Sequence, residues 1–339
     1  MQETKVTKNK LFEKIRYEDI DLFISFLTDV RPDYPYRWFF DPHWISDRIE
    51  DPTYIWGVLR EEDRIIGTVI CYYDSPKQIS VLKLLLVRPE YRGQGLLNTV
   101  LFNRLQEQRV IDQIRTHSPN LLFAEVLVNH QISQKMVQRM GMVFCGFYPN
   151  KTVIDGIRAD TVPCASIFKQ EHKNIWIDSR ISDKLNYILN INRITNLRTL
   201  NTEIKYSGDS TSSEIVKELK NSDGTGNEEY TVQIDDSNFL TFQFNTYLGN
   251  IAEARLNLQN PEFSQVLIDY LQKFGANYTE VMIPPELWMQ DALIRNNFKF
   301  VGFLPCFWAG EDVLVFSIWK NQSVLIPKIK SIYNKMMVM

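Results

Sequence analysis

Val87-Arg88-Pro89-Glu90-Tyr91-Arg92-Gly93-Gln94-Gly95-Leu96-Leu97 lies between an apolar run over 79–87 and a helical pattern over 96–108. A strand, a Pro, an Arg, two glycines and a helix in that order suit an anion. Glycine lets the backbone turn tightly and come close to a guest. The N–H groups of such a loop and of the first helical turn converge on one spot, and the helix dipole adds roughly half a positive charge there. A pyrophosphate is the guest that fits. Two glycines alone would read as an ordinary turn; the flanking strand, Pro89, Arg92 and the helix separate this segment from one.

Upstream of the cradle, 10–18 reads as a strand, 19–29 as a short helix led by an acidic cap, and 43–49 as a second helix. Between those helices lies an aromatic loop holding Tyr34, Tyr36, Trp38, Phe39 and Phe40, with Trp44 opening the helix after it. Such rings either line a pocket or pack against a neighbouring domain. Residues 54–60 and 64–73 are apolar strands split by the charged turn Glu61-Glu62-Asp63, and 79–87 is nearly all apolar, as a strand buried on both faces should be. Downstream, 121–128 reads as a strand and 130–140 as a helix stopped by Gly141. Strands at 142–148 and 162–168 complete a mixed α/β sheet.

The remainder repeats this design. A connection over 173–200 carries an amphipathic helix near 182–191, and a Ser-, Asp-, Gly- and Asn-rich stretch over 207–229 reads as exposed. Strands then fit 230–234, 239–246, 251–258, 278–283, 299–304 and 312–319, with helices at 261–274 and 286–296. Ala124-Glu125-Val126-Leu127-Val128, a helix and Gly146-Phe147-Tyr148-Pro149 match Thr279-Glu280-Val281-Met282-Ile283, a helix and Gly302-Phe303-Leu304-Pro305. Glu125 and Pro149 are 24 residues apart, Glu280 and Pro305 are 25. Duplication of one supersecondary design accounts for the match. The second half has no cradle: 251–258 passes through Gln259-Asn260-Pro261 straight into a helix.

Composition bounds the function. The 339 residues suffice for two domains, and 44% hydrophobic with 23% charged residues can fold around real cores. A formal net charge of -3 argues against bulk nucleic-acid binding. Residues 1–14 carry no apolar signal region, and no run reaches the ~20 apolar residues that span a bilayer. Cys71, Cys145, Cys164 and Cys306 show no CxxC spacing, and His43, His117, His130 and His172 show no metal-ligand spacing. The expectation is a soluble, reducing, cytoplasmic protein with no metal and no membrane span. Basic residues in the tail over 323–339 could seek a membrane surface, but Pro327 and its brevity favour a docked or frayed end.

The cradle resembles the CoA-binding motif of the GNAT N-acetyltransferase superfamily, Arg/Gln-x-x-Gly-x-Gly/Ala. Arg92 and Gly95 match, and Leu97 departs from the small final residue. Asn129, Ser133 and Gly141 resemble the family's second CoA-contacting motif. The resemblance covers about residues 10–170. It implies a splay after the fourth strand, with backbone groups of Leu86 and Val87 on the pantetheine arm and Arg88, Arg92, Gly93, Gln94, Gly95, Leu96, Leu97, Asn129 and Ser133 around acetyl-CoA or another acyl-CoA. With the repeat, it implies two tandem GNAT-like domains: an acyltransferase domain over 1–172, a linker over 173–200, a second domain without the phosphate loop over 201–322, and a tail over 323–339.

The reaction so implied moves an acyl group from the thioester to a primary amine by direct attack. An alkylammonium, with a pKa near 10, must lose a proton first, so a base helps. Glu125 is the candidate, matching a glutamate that some family members use, although it stands one residue closer to Asn129 than their pattern and Glu280 fills its place in the half without a cradle. The family's tyrosine acid falls on Val137, leaving Tyr148 as a weak substitute by sequence proximity. Two rival readings remain at this level: a non-catalytic acyl-CoA-binding module, and a transferase using an acyl-carrier protein or aminoacyl-tRNA.

Overall fold

A computed structural model describes residues 10–97, 110–168, 173–191, 197–202, 215, 217–222 and 226–320. The first half contains strands β1 (Lys10–Lys14), β2 (Tyr54–Glu61), β3 (Arg64–Asp74), β4 (Ile79–Val87), β5 (Leu121–Leu127), β6 (Val143–Phe144), β7 (Tyr148–Ile154) and β8 (Ile157–Ile167). Its helices are α1 (Ile20–Val30), α2 (Pro42–Ile49), α3 (Val110–Thr116) and α4 (Gln131–Arg139). The strands form one sheet in the order β1-β2-β3-β4-β5-β8-β6, with β7 paired to β8. The helix expected over 96–108 starts at Leu96, and 98–109 lies outside the described residues.

Local chemistry explains the helix ends. Asp41 accepts from the His43 N–H at 2.9 Å while Pro42 takes the first helical position of α2. Gly141, at φ 76°, ends the turn after α4.

The sequence reading of 142–148 as one strand is corrected. The chain breaks after Phe144, and β7 and β8 form a hairpin over 148–167 that the reading began only at residue 162. Asp155 and Gly156, at φ 50° and 75°, make its turn, the two-residue left-handed geometry that matches strand twist.

Beyond the first sheet come β9 (Lys173–Asp178), α5 (Ser179–Ile191) and β10 (Leu197–Thr202). Residues 173–202 thus hold two strands beside the expected helix: β9 and β10 pair in parallel around α5. Ile175, Ile177, Ile181 and Leu185 pack into the core of the second half. Gln290 fastens this unit by accepting from the Asp178 N–H at 2.8 Å and donating to the Trp176 carbonyl at 2.9 Å.

The second half then runs β11 (Lys217–Ser222), β12 (Asn227–Gln233), β13 (Phe239–Asn245), β14 (Asn250–Asn257), α6 (Ser264–Phe274), β15 (Tyr278–Ile283), α7 (Leu287–Arg295), β16 (Lys299–Trp308) and β17 (Glu311–Trp319). Its sheet order is β11-β12-β13-β14-β15-β17-β16. In each sheet order the parallel pair is the fourth, β4 with β5 and β14 with β15. Chain order and sheet order agree between the halves, as the repeated Glu-to-Pro segment predicts. The fold is mixed α/β: two mixed sheets flanked by helices.

The sheets are joined through the repeat itself. Gly146 and Gly302 form an antiparallel bridge. The Phe147 N–H donates to the Val301 carbonyl at 2.7 Å and the Phe303 N–H to the Cys145 carbonyl at 2.8 Å. One hydrophobic core continues across the joint, with Val81, Phe123, Cys145 and Tyr148 packed among Tyr278, Val301, Leu304 and Phe307. Area removed from water on both sides stabilises the halves against each other at roughly 25 cal/mol per Å².

Candidate active site

The site is set by where β4 and β5 part. Their parallel register runs from Ile79–Leu121 to Leu82–Ala124 and stops there. On its other edge β4 stays paired with β3, from Leu84–Ile70 to Val87–Gly67. Residues 83–87 therefore face a gap on the β5 side. Lys83 is the extra residue of a bulge, since Ile70 opposes Leu84 while Cys71 opposes Leu82. The Lys83 carbonyl accepts from the Tyr34 hydroxyl at 3.1 Å, which ties the aromatic loop to the bulge.

The glycine loop follows β4. Gly93 and Gly95 take φ of 76° and 72°, and a side chain at either would meet nothing within 4 Å. The loop is thus left-handed at both glycines, with open space outside it. Arg92 is exposed and its Nε donates to the Val87 carbonyl at 3.1 Å. Gln94 is exposed, whereas Leu96 and Leu97 are half-buried against the core of the first sheet. Arg88, expected at the donor, points elsewhere: its side chain is buried, with Nε on the Ile65 carbonyl and Nη1 on Asp29, both at 2.9 Å. That arginine braces α1 against β3.

Across the gap, His130 caps α4. Its Nδ1 lies 3.3 Å from the Ser133 N–H and 2.5 Å from the Ser133 hydroxyl. Burial, then Arg92 and Arg31, push the imidazole below its usual range. Arg92 therefore acts electrostatically at the start of α4, joining the two segments expected around the donor. Asn129 is exposed, while Ser133 and Val137 line the gap.

The gap opens into a cavity of about 510 Å³ lined by both halves. Leu85, Leu86, Ser133 and Val137 stand at the loop side; Tyr36, Trp38, Lys83, Glu125 and Lys151 come from the first half, and Asn245, Glu253 and Phe307 from the second. The aromatic loop does both things expected of it. Tyr34 and Phe39 are buried, Tyr36 and Trp38 line the cavity, and Arg37 stacks on Tyr247 of the second half at 5.0 Å.

Charges cross the cavity in fixed pairs. Lys151 Nζ is 2.7 Å from Glu125 and 2.8 Å from the fully buried Glu280. Burial alone would depress the Lys151 ammonium, but Glu125 and Glu280 carry it above its usual range. Burial raises Glu280. Lys77 Nζ is 3.0 Å from Asp74 and 2.6 Å from Glu253. Glu253 sits at φ 53° in a bulge of β14; burial would raise it, but Lys77 and then other lysines leave it below the usual range.

Glu125 thus stands at the parting of the strands, just past Ala124, oriented by Lys151 and by Thr161 Oγ1 at 3.4 Å. Tyr148, the other catalytic candidate, is not in the cavity lining. It is fully buried in the core joining the halves, its ring 4.3 Å from Lys151 Nζ and its hydroxyl without a hydrogen-bond partner among the described residues. Burial lifts that phenol far above its usual range. Lys83, Lys151 and Glu253 were missed by sequence reasoning. Lys83 was the legible one, the single charge in ISVLKLLLV.

Among the described residues no group of His, Cys, Asp and Glu is arranged to hold a metal, and no helix is long and apolar enough to cross a membrane.

Solved structures with similar folds include the ribosomal-protein-S18-alanine N-acetyltransferase of Escherichia coli, 14% identical, covering 48% of this chain and 96% of its own at a TM-score of 0.39. A spermidine/spermine N-acetyltransferase from Vibrio cholerae is 16% identical and covers 47% of this chain and 95% of its own at 0.38. A Salmonella typhimurium protein solved with acetyl-CoA as its cofactor is 15% identical and covers 49% of this chain and 98% of its own at 0.41. No curated protein sequence matches the chain. The family model of the acetyltransferase (GNAT) family matches residues 23–142, the stretch that holds β4, the glycine loop, β5 and α4. Residues 23–142, within the first half of this chain, match the GNAT acetyltransferase family.

Proposed function

We propose that the protein is an N-acyltransferase that moves an acyl group from acyl-CoA to a primary amine by direct attack. The parting of β4 from β5 beside the glycine loop, opening into a walled cavity, carries the reading. The loop over Arg92–Gly95 and the start of α4 at Ser133 hold the pyrophosphate and pantetheine, the thioester lies along Leu85 and Leu86, and the amine enters from the cavity. The domain boundary falls just before Lys173, and the second half supplies the far wall of the acceptor site.

The acceptor ammonium gives its proton to Glu125, directly or through one water. The freed nitrogen attacks the thioester carbon, forming the C–N bond, and an N–H of β4 facing the gap holds the developing oxyanion. Collapse breaks the C–S bond and expels the CoA thiolate; the attacking nitrogen gives up its second proton to water to leave the neutral amide, and the thiolate takes a proton back from water. A thiol with a pKa near 8.5 leaves well enough to need no tyrosine, consistent with Val137 in the cavity wall and Tyr148 outside it.

The test is thermal stability with CoA, acetyl-CoA and long-chain acyl-CoAs, beside a Gly95→Asp variant that puts a carboxylate in the loop. A ligand at 100 times its dissociation constant stabilises by about 2.7 kcal/mol. Stabilisation of the wild type but not of the variant supports the donor site, and the preferred chain length defines the acyl group. No response to any CoA species rejects it. Val137, standing in the cavity wall where the family's tyrosine acid is expected, favours one second reading, a non-catalytic acyl-CoA-binding module, and release of free CoA thiol with any amine eliminates it.

A further inference from the structure

Three lysines line the cavity, and they are not equivalent. Lys77 has Asp74 and Glu253, and Lys151 has Glu125 and Glu280, all within 3.0 Å. Lys83 has no carboxylate within ion-pair distance among the described residues; its ammonium stands 4.0 Å from the centre of the Tyr36 ring. The aromatic face is a weak substitute for a counter-ion, and a cation removed from water without a partner is costly to keep. Lys83 is placed there by a bulge whose carbonyl is tied to Tyr34, so the backbone beneath the ammonium is fixed. Glu125 and Glu253 both act on Lys83 electrostatically, yet neither forms an ion pair with it. Among the described residues the cavity thus presents a fixed cation without a carboxylate partner and, within electrostatic range of it, carboxylates that can receive an ammonium.

We infer that Lys83 is the seat of a substrate carboxylate, and that the acceptor brings it: the amine acylated here belongs to an amino carboxylate, its ammonium toward Glu125 and its carboxylate on Lys83. The enclosure of the cavity by Tyr36 and Trp38 of the aromatic loop and by Asn245, Glu253 and Phe307 of the second sheet fits a small free molecule. The inference rests on the acyl-transfer reading for which amine reacts, but not for the binding of the carboxylate.

The test separates the two. Calorimetric binding is measured without CoA for the proteinogenic α-amino acids and γ-aminobutyrate, each beside its decarboxylated or carboxylate-free amine, using wild type, Lys83→Met and Lys83→Arg. The expected result is that at least one amino carboxylate binds the wild type about 30-fold or more tighter than its matched amine, the size of a desolvated charge pair. That ratio collapses in Lys83→Met and returns in Lys83→Arg, with all three proteins melting within a few degrees of one another. Equal binding of acids and amines, no binding of any acid, or a ratio that Lys83→Met leaves intact overturns the inference, whether or not CoA binds.

Turnover with acetyl-CoA and succinyl-CoA supplies the second arm. If the Lys83-dependent discrimination appears between those donors and not between acceptors, the carboxylate belongs to the acyl group and the acceptor assignment falls. If neither thioester binds, the acyl-transfer reading falls, while the calorimetric ratio still decides the carboxylate seat.

Discussion

Gly146 and Gly302 occupy the same place in the two halves and face each other across the bridge that joins the sheets. The approach is close enough that the two positions differ in tolerance. A Cβ on Gly146 would fall onto the Val301 carbonyl oxygen and within 2.6 Å of the Gly302 Cα, both backbone atoms that cannot move aside alone. A Cβ on Gly302 would meet the Cys145 oxygen at 3.1 Å and Tyr148 Cε1 at 3.3 Å, contacts a small shift relieves. Gly146→Ala is therefore expected to cost about 3 kcal/mol or more, and Gly302→Ala about 1 kcal/mol. Urea unfolding of the two variants checks it; equal costs would mean that the joint is looser than this geometry.

The Lys151 ammonium joins matching glutamates of the two halves, Glu125 and Glu280. Removing a partner from a buried charge cluster costs far more than the cluster contributes. Lys151→Met leaves two carboxylates facing each other, one fully buried, and is expected to destabilise by about 3–5 kcal/mol. Glu280→Gln keeps an acceptor for Lys151 and removes a charge that burial already disfavours, so its cost stays below about 1 kcal/mol near neutral pH. The same unfolding measurement separates the two, and a larger loss in Glu280→Gln than in Lys151→Met contradicts the arrangement.

Tyr148 and Glu125 give opposite expectations. The Tyr148 hydroxyl is buried with no hydrogen-bond partner among the described residues, and an unsatisfied buried hydroxyl costs about 1–3 kcal/mol. Tyr148→Phe should hold or raise stability, by up to about 1 kcal/mol, and change the acyl-transfer rate less than about twofold. Glu125→Gln removes the proposed base in the cavity and should lower kcat about 10²-fold, with the loss reduced at high pH where the acceptor amine deprotonates unaided. A rate loss confined to Tyr148→Phe would restore the phenol as the acid.

The halves of the chain differ in how openly the sequence declares them. The glycine loop reads well because its order of strand, turn residues and helix is local, and Gly93 and Gly95 do adopt left-handed backbone. The repeat reads well for the same reason, since Glu125, Gly146 and Pro149 return as Glu280, Gly302 and Pro305 at nearly constant spacing. The acceptor side does not, because it is assembled from strands of two sheets. Lys151 lies on β7, separated from β6 by the break after Phe144 and closed by the Asp155–Gly156 turn, whose residues are a local hairpin signal. Arg88 shows the converse: it sits in the motif, yet the pull of Asp29 and the Ile65 carbonyl decides its direction. Position in a motif fixes where a backbone goes, and tertiary partners fix where a long side chain ends.

His130 supplies a pH-dependent reporter of the proposed donor site. Its Nδ1 faces the Ser133 N–H, so the capping form is the neutral imidazole. Burial first, and then Arg92 and Arg31, lower its pKa below the ordinary value near 6.5. The folded chain then binds this proton less readily than the unfolded chain does. The contribution to stability is fully present above about pH 6.5 and is lost as pH falls through the depressed folded value. A His130→Asn variant, which keeps a cap but cannot titrate, should show a flatter dependence of Tm on pH over this range than the wild type. If the pyrophosphate of CoA binds beside Arg92, its negative charge offsets the arginine field, and the His130 pKa followed by NMR should rise toward 6.5 when CoA is added. A His130 signal that titrates near 6.5 with or without CoA would mean that Arg92 and the start of α4 are not coupled, and would remove the electrostatic link between the two segments assigned to the donor.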